Sequence, residues 1–321
     1  MTIPKQVGEQ LYLIDDYDLN RLGRTGTYVL LGEYITLIET CASPSVPHIE
    51  QGLSALGINK NDIAYIIVTH VHLDHAGAAG LMIERCPNAK LLVHPRGARH
   101  LIDPTKLIAG AKAVYGDQFD ALFSPILPVP SDRVITMENH ATLRISPKRL
   151  LTFYDTPGHA NHHISIHDSL TNGIFTGDTI GIYYSELMDC GVEFYLPSTS
   201  PTQFNPEAML QSLHRIHKLG VHHIYFSHFG VSSHVRGVCR QIETWLPHFV
   251  ETGKDVLRNE PNPERAANKI SAKLLTDIRT YLTAQGVPAS HTVYEILQLD
   301  INVCAMGIVH YLLTAEATEK A

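Results

Sequence analysis

The sequence predicts an α/β protein, with a strand-rich body to about residue 235 and a helical region after it. Three features lead there. Short apolar runs broken by glycine open the chain. The stretch Ala64-Tyr65-Ile66-Ile67-Val68 is continuously apolar, as in a strand buried on both faces, and beyond Ser232 the pattern stays helical to the end.

In order, strands are expected over residues 11–14, 27–31 and 34–38, the last closed by Glu39, with a helix over 46–56 and the buried strand over 64–68. A helix over 78–85 and a strand over 90–93 follow, then a helical insertion over 103–123. Strands return at 141–145, 151–154, 163–167 and 173–175. Residues 183–206 are rich in Pro, Ser, Thr and aromatics without a sustained period, which predicts a long loop. A helix over 206–219 leads to the strand His223-Ile224-Tyr225-Phe226. The final helical region breaks at Glu260-Pro261-Asn262-Pro263 and Gly286-Val287-Pro288, because proline cannot continue a helix.

A chain of 321 residues, 44% hydrophobic and 18% charged, has enough apolar material for one large domain or two unequal ones. The five cysteines (Cys41, Cys86, Cys190, Cys239, Cys304) are scattered and never form a C-x-x-C pair, so neither a disulfide framework nor a zinc ribbon is indicated. The N-terminus, beginning Met1-Thr2-Ile3-Pro4-Lys5, has no apolar signal core, and no later stretch reads as long and charge-free enough to cross a bilayer. A cytoplasmic protein with no membrane partner is therefore expected. The net charge of -7 opposes a large phosphate-binding surface, which argues against nucleic acid as a partner. Histidine is the compositional outlier, at 20 residues, and spacing must decide which of them matter.

Spacing singles out Thr69-His70-Val71-His72-Leu73-Asp74-His75, where the buried strand stops. On an extended backbone residues 70 and 72 point to one side, and the following turn can bring 74 and 75 beside them. Four ligand-type side chains then share a small volume, with Gly77 at the start of the next helix. Imidazole and carboxylate suit zinc, and also iron or manganese, so ligand type favours a metal without choosing it. Three later segments repeat the placement of a polar ligand after an apolar strand: Asp155-Thr156-Pro157-Gly158-His159, Phe175-Thr176-Gly177-Asp178-Thr179 and Tyr225-Phe226-Ser227-His228.

In this order the segments resemble the metallo-β-lactamase fold superfamily, whose signature is H-x-H-x-D-H followed by distant His, Asp and His ligands. The resemblance spans roughly residues 10–235. It implies a four-layer αββα sandwich as a catalytic domain over 1–235, with a helical C-terminal region over 236–321. It also implies that His70, His72 and His159 hold one divalent metal while Asp74, His75 and His228 hold a second, bridged by Asp178. Zinc is the first expectation, with iron or manganese as alternatives. Members often carry Asp where this chain has Glu39, before Thr40 and Cys41. His72 replaces the acidic residue of the flavodiiron branch, and the C-terminal region lacks the glutathione-binding pattern of a glyoxalase II.

The implied chemistry is hydrolysis by a hydroxide bridging two metal ions, with Asp74 also orienting that hydroxide or accepting its proton. The substrate is then a small molecule with an ester, thioester, lactone or phosphodiester bond. Two other classes fit parts of the pattern: a persulfide-type dioxygenase with one iron on His70, His159 and Asp178, and a metal- and ligand-binding regulatory protein with little turnover. His162 and His163 can reach substrate or serve as turn and strand-start residues, and His222 and His223 read as structural. Tyr183, Tyr184, Phe194 and Tyr195 suit either an aromatic wall or packing. Val293, Ile296, Leu297, Ile301, Cys304, Ile308 and Leu312 recur at helical spacing, for packing onto the body or across a homodimer interface.

Overall fold

The computed structural model describes residues 3–319. Met1 and Thr2 of the N-terminal reading, and Lys320 and Ala321 of the helical region, lie outside the described residues. In chain order the elements begin with strands β1 (Lys5–Gly8), β2 (Leu11–Asp15), β3 (Gly26–Leu30) and β4 (Ile35–Ile38), helix α1 (Val46–Ala55), strand β5 (Ile63–Ile67), the single turn α2 (Leu73–Ala76) and α3 (Ala79–Arg85). Next come β6 (Lys90–Val93), α4 (Pro95–Ile102), α5 (Thr105–Tyr115), α6 (Phe119–Phe123), β7 (Val134–Thr136), β8 (Thr142–Ser146), β9 (Arg149–Asp155), β10 (Ile164–Asp168) and β11 (Gly173–Phe175). The chain continues with β12 (Ile182–Tyr183), β13 (Tyr195–Leu196), α7 (Pro206–Lys218), β14 (His223–Phe226), β15 (Gly230–Ser232), α8 (Val235–Leu257), α9 (Pro263–Ala284) and α10 (Val293–Glu319).

Packing divides the chain into two compact units. The first comprises Met1–Thr156, His162–Gly177 and Val221–Ser233, and the second Pro157–Asn161, Asp178–Gly220 and His234–Ala321. This partition interleaves the sequence and is not the chain-order division at residue 235.

In the first unit, β1 to β7 pair in sequence order as one sheet, antiparallel through β4 and parallel from β4 to β7. The second sheet runs β15-β14-β11-β10-β9-β8, with β11 and β14 parallel. Period-2 alternation decides what each residue of the first sheet touches. Val29, Leu37, Ile66 and Leu91 pack under Ile49 and Leu53 of α1 and Met82 and Ile83 of α3. Their neighbours Tyr28, Ile38, Ile67 and Leu92 face the other way, against Phe153, Ile166, Phe175 and Tyr225 of the second sheet. A strand apolar on both faces therefore has a helix layer on one side and a sheet on the other, which is why residues 64–68 show no alternation.

In the second unit α8, α9 and α10 share one core with the segment 182–196. All seven periodic residues from Val293 to Leu312 are buried in it, so they pack onto their own unit. Within α10, Val293–Ala315 is long and apolar enough by composition to span a bilayer, which corrects the expectation that no such stretch exists. Glu295 and Asp300 are its acidic residues, and the apolar side chains that satisfy the test are those the core requires.

The expected loop over 183–206 contains the β12–β13 ribbon and a 3-10 turn at Ser185–Cys190. The insertion over 103–123 is two helices, α5 and α6, and α4 precedes it unannounced. Gly77 follows α2 instead of opening the next helix; a Cβ there would collide with the Leu73 carbonyl.

Candidate functional site

In the first unit the ends of β4, β5 and β14 meet, and Glu39 ties them together. Its carboxylate accepts from the Thr69 hydroxyl at 2.5 Å, the Ser227 hydroxyl at 3.0 Å and the Thr69 backbone N–H at 3.4 Å. Its Oε1 also stands 3.4 Å from His75 Nδ1. Glu39 and Cys41 both adopt positive φ, 71° and 54°, a conformation costly for residues with a side chain and concentrated at functional sites. The strain is held by Thr40, whose N–H and hydroxyl both donate to the His75 carbonyl at 2.9 Å, and by Ala78 N–H on the Cys41 carbonyl.

That frame sets the tautomers of the histidines. Thr69 gives its hydroxyl proton to Glu39, so toward His70 it can only accept, and His70 Nδ1 lies 3.0 Å away. The proton then sits on Nδ1, and the Nε2 lone pair points at His72 Nδ1, 3.0 Å away. His228 follows the same rule, and His75 is placed alike. Each keeps one nitrogen near an oxygen, Glu39 Oε1 for His75 and the Arg24 carbonyl at 3.3 Å for His228. Each turns the other, Nε2, toward Asp74 Oδ2, at 3.6 and 3.4 Å. The ligand atoms of Asp74, His75 and His228 lie within 4.8 Å of one another, which fits a cation held by two imidazoles and a carboxylate whose far nitrogens are oriented by oxygens. His75 and His228 are buried, while the Asp74 side chain keeps 35% of its exposure.

Charge accumulates around this trio. Burial holds the Asp18 carboxyl above the ordinary carboxylate range; Arg24 opposes that shift, Asp74 adds repulsion and His228 relieves it. Burial, with Asp18 and Asp16 nearby, also pushes the Cys41 thiol well up, so this cysteine is a neutral packing group and not a nucleophile. His163 is buried with its ring stacked on His70 at 5.0 Å and its Nδ1 3.1 Å from the Thr156 hydroxyl. It props the His70 ring. His162 stands edge-on to His72 at 5.8 Å, while His223 pairs with the Ser233 hydroxyl at 3.1 Å.

The second unit carries its own pair of ligand-type side chains. His159 follows Gly158, whose φ of 138° and approach to the Met209 backbone leave no room for a Cβ. Its Nδ1–H donates to the Ser198 carbonyl at 2.9 Å, and its Nε2 lies 3.7 Å from Asp178 Oδ2. Asp178 Oδ2 in turn accepts from the Ser198 hydroxyl at 3.0 Å. Tyr184 and Phe194 belong to the core of this unit, and Tyr183 stacks on Tyr195 with centroids 4.8 Å apart; all four are buried.

The sequence singled out seven ligand-type residues. The structure gathers His70, His72, Asp74, His75 and His228 in one unit and His159 with Asp178 in the other. Sequence reasoning did not single out Thr69, Ser227, Asp18, Arg24 or Ser198. Thr69 and Ser227 had a signal available, a hydroxyl residue immediately before a ligand-type histidine.

A family model described as the metallo-beta-lactamase superfamily matches residues 22–228, and the chain belongs to that superfamily, broadly one of metal-dependent hydrolases. Its fold is the metallo-β-lactamase fold with a C-terminal helical region, and that fold implies binding of divalent metal. The metallo-beta-lactamase fold-containing protein ST1585 of Sulfurisphaera tokodaii is 29% identical over 210 residues, which are 64% of this chain and 73% of that protein. The crystal structure of ST1585 from Sulfolobus tokodaii aligns with a TM-score of 0.64 at 23% identity, covering 95% of this chain and 99% of that one. The metallo-beta-lactamase family protein TTHA1429 from Thermus thermophilus aligns with a TM-score of 0.65 at 17% identity, over 96% and 94%. The N-acyl homoserine lactonase AttM of Azorhizobium caulinodans is 38% identical over 58 residues, 18% of this chain and 20% of that protein.

Glu39 gives the first prediction. Glu39→Gln keeps the shape but removes the charge facing His75, and Glu39→Asp withdraws the carboxylate by one methylene. Each is expected to weaken zinc binding by about 10- to 100-fold, the usual cost of losing a group that orients a ligand. Competition against a chelating dye measures this, and unchanged affinity in both variants would show that Glu39 only packs.

Proposed function

We propose that this chain is a binuclear metallohydrolase that cleaves an ester, thioester, lactone or phosphodiester bond in a small-molecule substrate. In this reading His70, His72 and His159 would hold one divalent ion and Asp74, His75 and His228 the other, with Asp178 as a ligand they would share. The observation that carries it is the Asp74–His75–His228 trio, with its ligand atoms turned to one point and the far nitrogens of both histidines near oxygens. When bound, two such ions supply an activated water near neutral pH and polarise the substrate oxygen that becomes negative. Asp74, the one ligand of the trio with substantial exposure, orients that water or takes its proton. Thr69, itself held by Glu39, and the Arg24 carbonyl fix the tautomers of His70 and His228, and Glu39 also faces His75. No serine or cysteine nucleophile is required, in keeping with the raised Cys41 thiol.

A mononuclear iron dioxygenase needs only His70, His159 and Asp178, and leaves the oriented trio of Asp74, His75 and His228 without a task. That surplus favours the hydrolase. The short match to a lactonase puts lactones first in the assay panel.

Zinc-loaded protein is expected to turn over at least one of these four bond classes, to lose that activity on dialysis against a chelator, and to regain it with zinc. The reading fails if protein holding two metals per chain cleaves none of a broad panel while Asp178→Ala behaves identically. One iron per chain with oxygen uptake would favour the dioxygenase instead.

A further inference from the structure

We infer that the C-terminal helix α10 sets the ligand geometry of its own unit, through the short segment Pro197-Ser198-Thr199-Ser200-Pro201 and with Ser198 as the positioning residue. The inference rests on the reading that His159 and Asp178 are metal ligands.

Ser198 does two things at once. Its carbonyl accepts the Nδ1 proton of His159 at 2.9 Å, which fixes the tautomer and leaves the Nε2 lone pair facing Asp178. Its hydroxyl donates to Asp178 Oδ2 at 3.0 Å, which fixes the carboxylate rotamer. One buried residue thus aims both groups. A peptide segment can do this only if it is itself held. Prolines 197 and 201 restrict its ends, and its middle is pinned by α10.

The Thr199 hydroxyl donates to the Cys304 carbonyl at 2.9 Å, and the Thr199 N–H to Cys304 Sγ at 3.5 Å. The Cys304 thiol donates weakly to the Pro197 carbonyl at 3.6 Å. One turn further along α10, Gly307 lies against the Thr199 carbonyl so closely that a Cβ there would collide with the backbone. Burial pushes the Cys304 thiol up to about 12, so it stays a protonated, unreactive contact. A glycine inside a 27-residue helix costs about 1 kcal/mol of helix propensity. Here it admits a segment that touches both His159 and Asp178.

The test is zinc affinity of the full chain, by competition with a chelating dye, alongside the melting temperature of the metal-free form. Ser198→Ala is expected to weaken zinc binding by about 10- to 100-fold with the metal-free melting temperature unchanged, and Ser198→Thr to restore affinity. Thr199→Val, which removes only the hydroxyl bond to the Cys304 carbonyl, is expected to shift affinity in the same direction by a smaller factor. Parent-like affinity in Ser198→Ala, or failure of Ser198→Thr to restore it, overturns the inference. His159→Ala and Asp178→Asn run in parallel separate the two layers. If they abolish binding at one site while Ser198→Ala does nothing, positioning by α10 is wrong and the ligand reading stands. If they too leave zinc binding unchanged, the ligand reading itself falls.

Discussion

Asp74→Asn is expected to lower kcat on the cleaved substrate by about 10²–10⁴, the range supplied by a positioned proton acceptor, while leaving KM nearly unchanged. The amide has the same size and keeps one oxygen able to face a cation, so the fold around α2 has no reason to move. What it lacks is the negative charge and the second oxygen able to take a proton. Asp74 carries this expectation, and not His75 or His228, because both histidines are buried with their far nitrogens near oxygens. The Asp74 side chain stays 35% exposed, with Oδ2 3.4 Å from His228 Nε2. Steady-state kinetics with metal content measured on the same sample decides the matter. A fall in kcat at parent metal content supports the second role. A fall that merely tracks lost metal reduces Asp74 to a ligand, and kcat within about threefold of the parent at full metal content sinks the proposal that it handles the proton.

The parts of this site legible in the sequence are those whose geometry is local. His70, His72, Asp74 and His75 share a strand end and one helical turn, so their convergence follows from the period of an extended chain and the turn after it. His228 was legible for a similar reason, as a polar residue directly after an apolar strand. Ser198 and Asp18 were not legible, because Ser198 acts on Asp178, 20 residues away, and Asp18 acts through its burial and through Asp74 and His228 far along the chain, which no local pattern encodes. Glu39 lay between these cases: its place at a strand end was readable, but its contact with Ser227 crosses 188 residues. The same physics explains the strands missed. β1, β7 and β15 are short and mostly not buried, and neighbouring strands define them more than any apolar alternation of their own. In α10 the apolar stripe correctly predicted packing, yet the same residues meet a membrane-span test, because composition cannot distinguish a protein core from lipid.

Arg149→Ala is expected to destabilise the first unit by about 3–5 kcal/mol, the cost of leaving a buried carboxylate without its partner. Arg149 and Asp168 are both fully buried and meet through two parallel bonds, Nε to Oδ1 at 3.0 Å and Nη2 to Oδ2 at 2.7 Å. The remaining nitrogen donates to the carbonyls of Gln10 and Leu31, at 2.8 and 3.3 Å. Through these bonds the β9–β10 pair of one sheet is tied to the β2–β3 hairpin of the other. Asp168 also accepts from Thr171 and from the Leu170 N–H, so losing the guanidinium leaves part of a network that still demands a charge partner. Asp168→Leu combined with Arg149→Met should therefore cost clearly less than the sum of the single changes, because the pair is removed together and not orphaned. Arg149 opens β9 and Asp155 closes it next to Thr156, which bonds the His163 that stacks on His70, so the clamp lies roughly 20 Å along the strand from that end. Zinc content and kcat of the folded fraction should accordingly stay at parent values while the urea midpoint falls. A loss below about 1 kcal/mol in Arg149→Ala would place the pair with the weak surface bridges in energy despite its burial, and the sheet-to-sheet apolar packing of Tyr28, Phe153, Phe175 and Tyr225 would then be what holds this end of the sandwich.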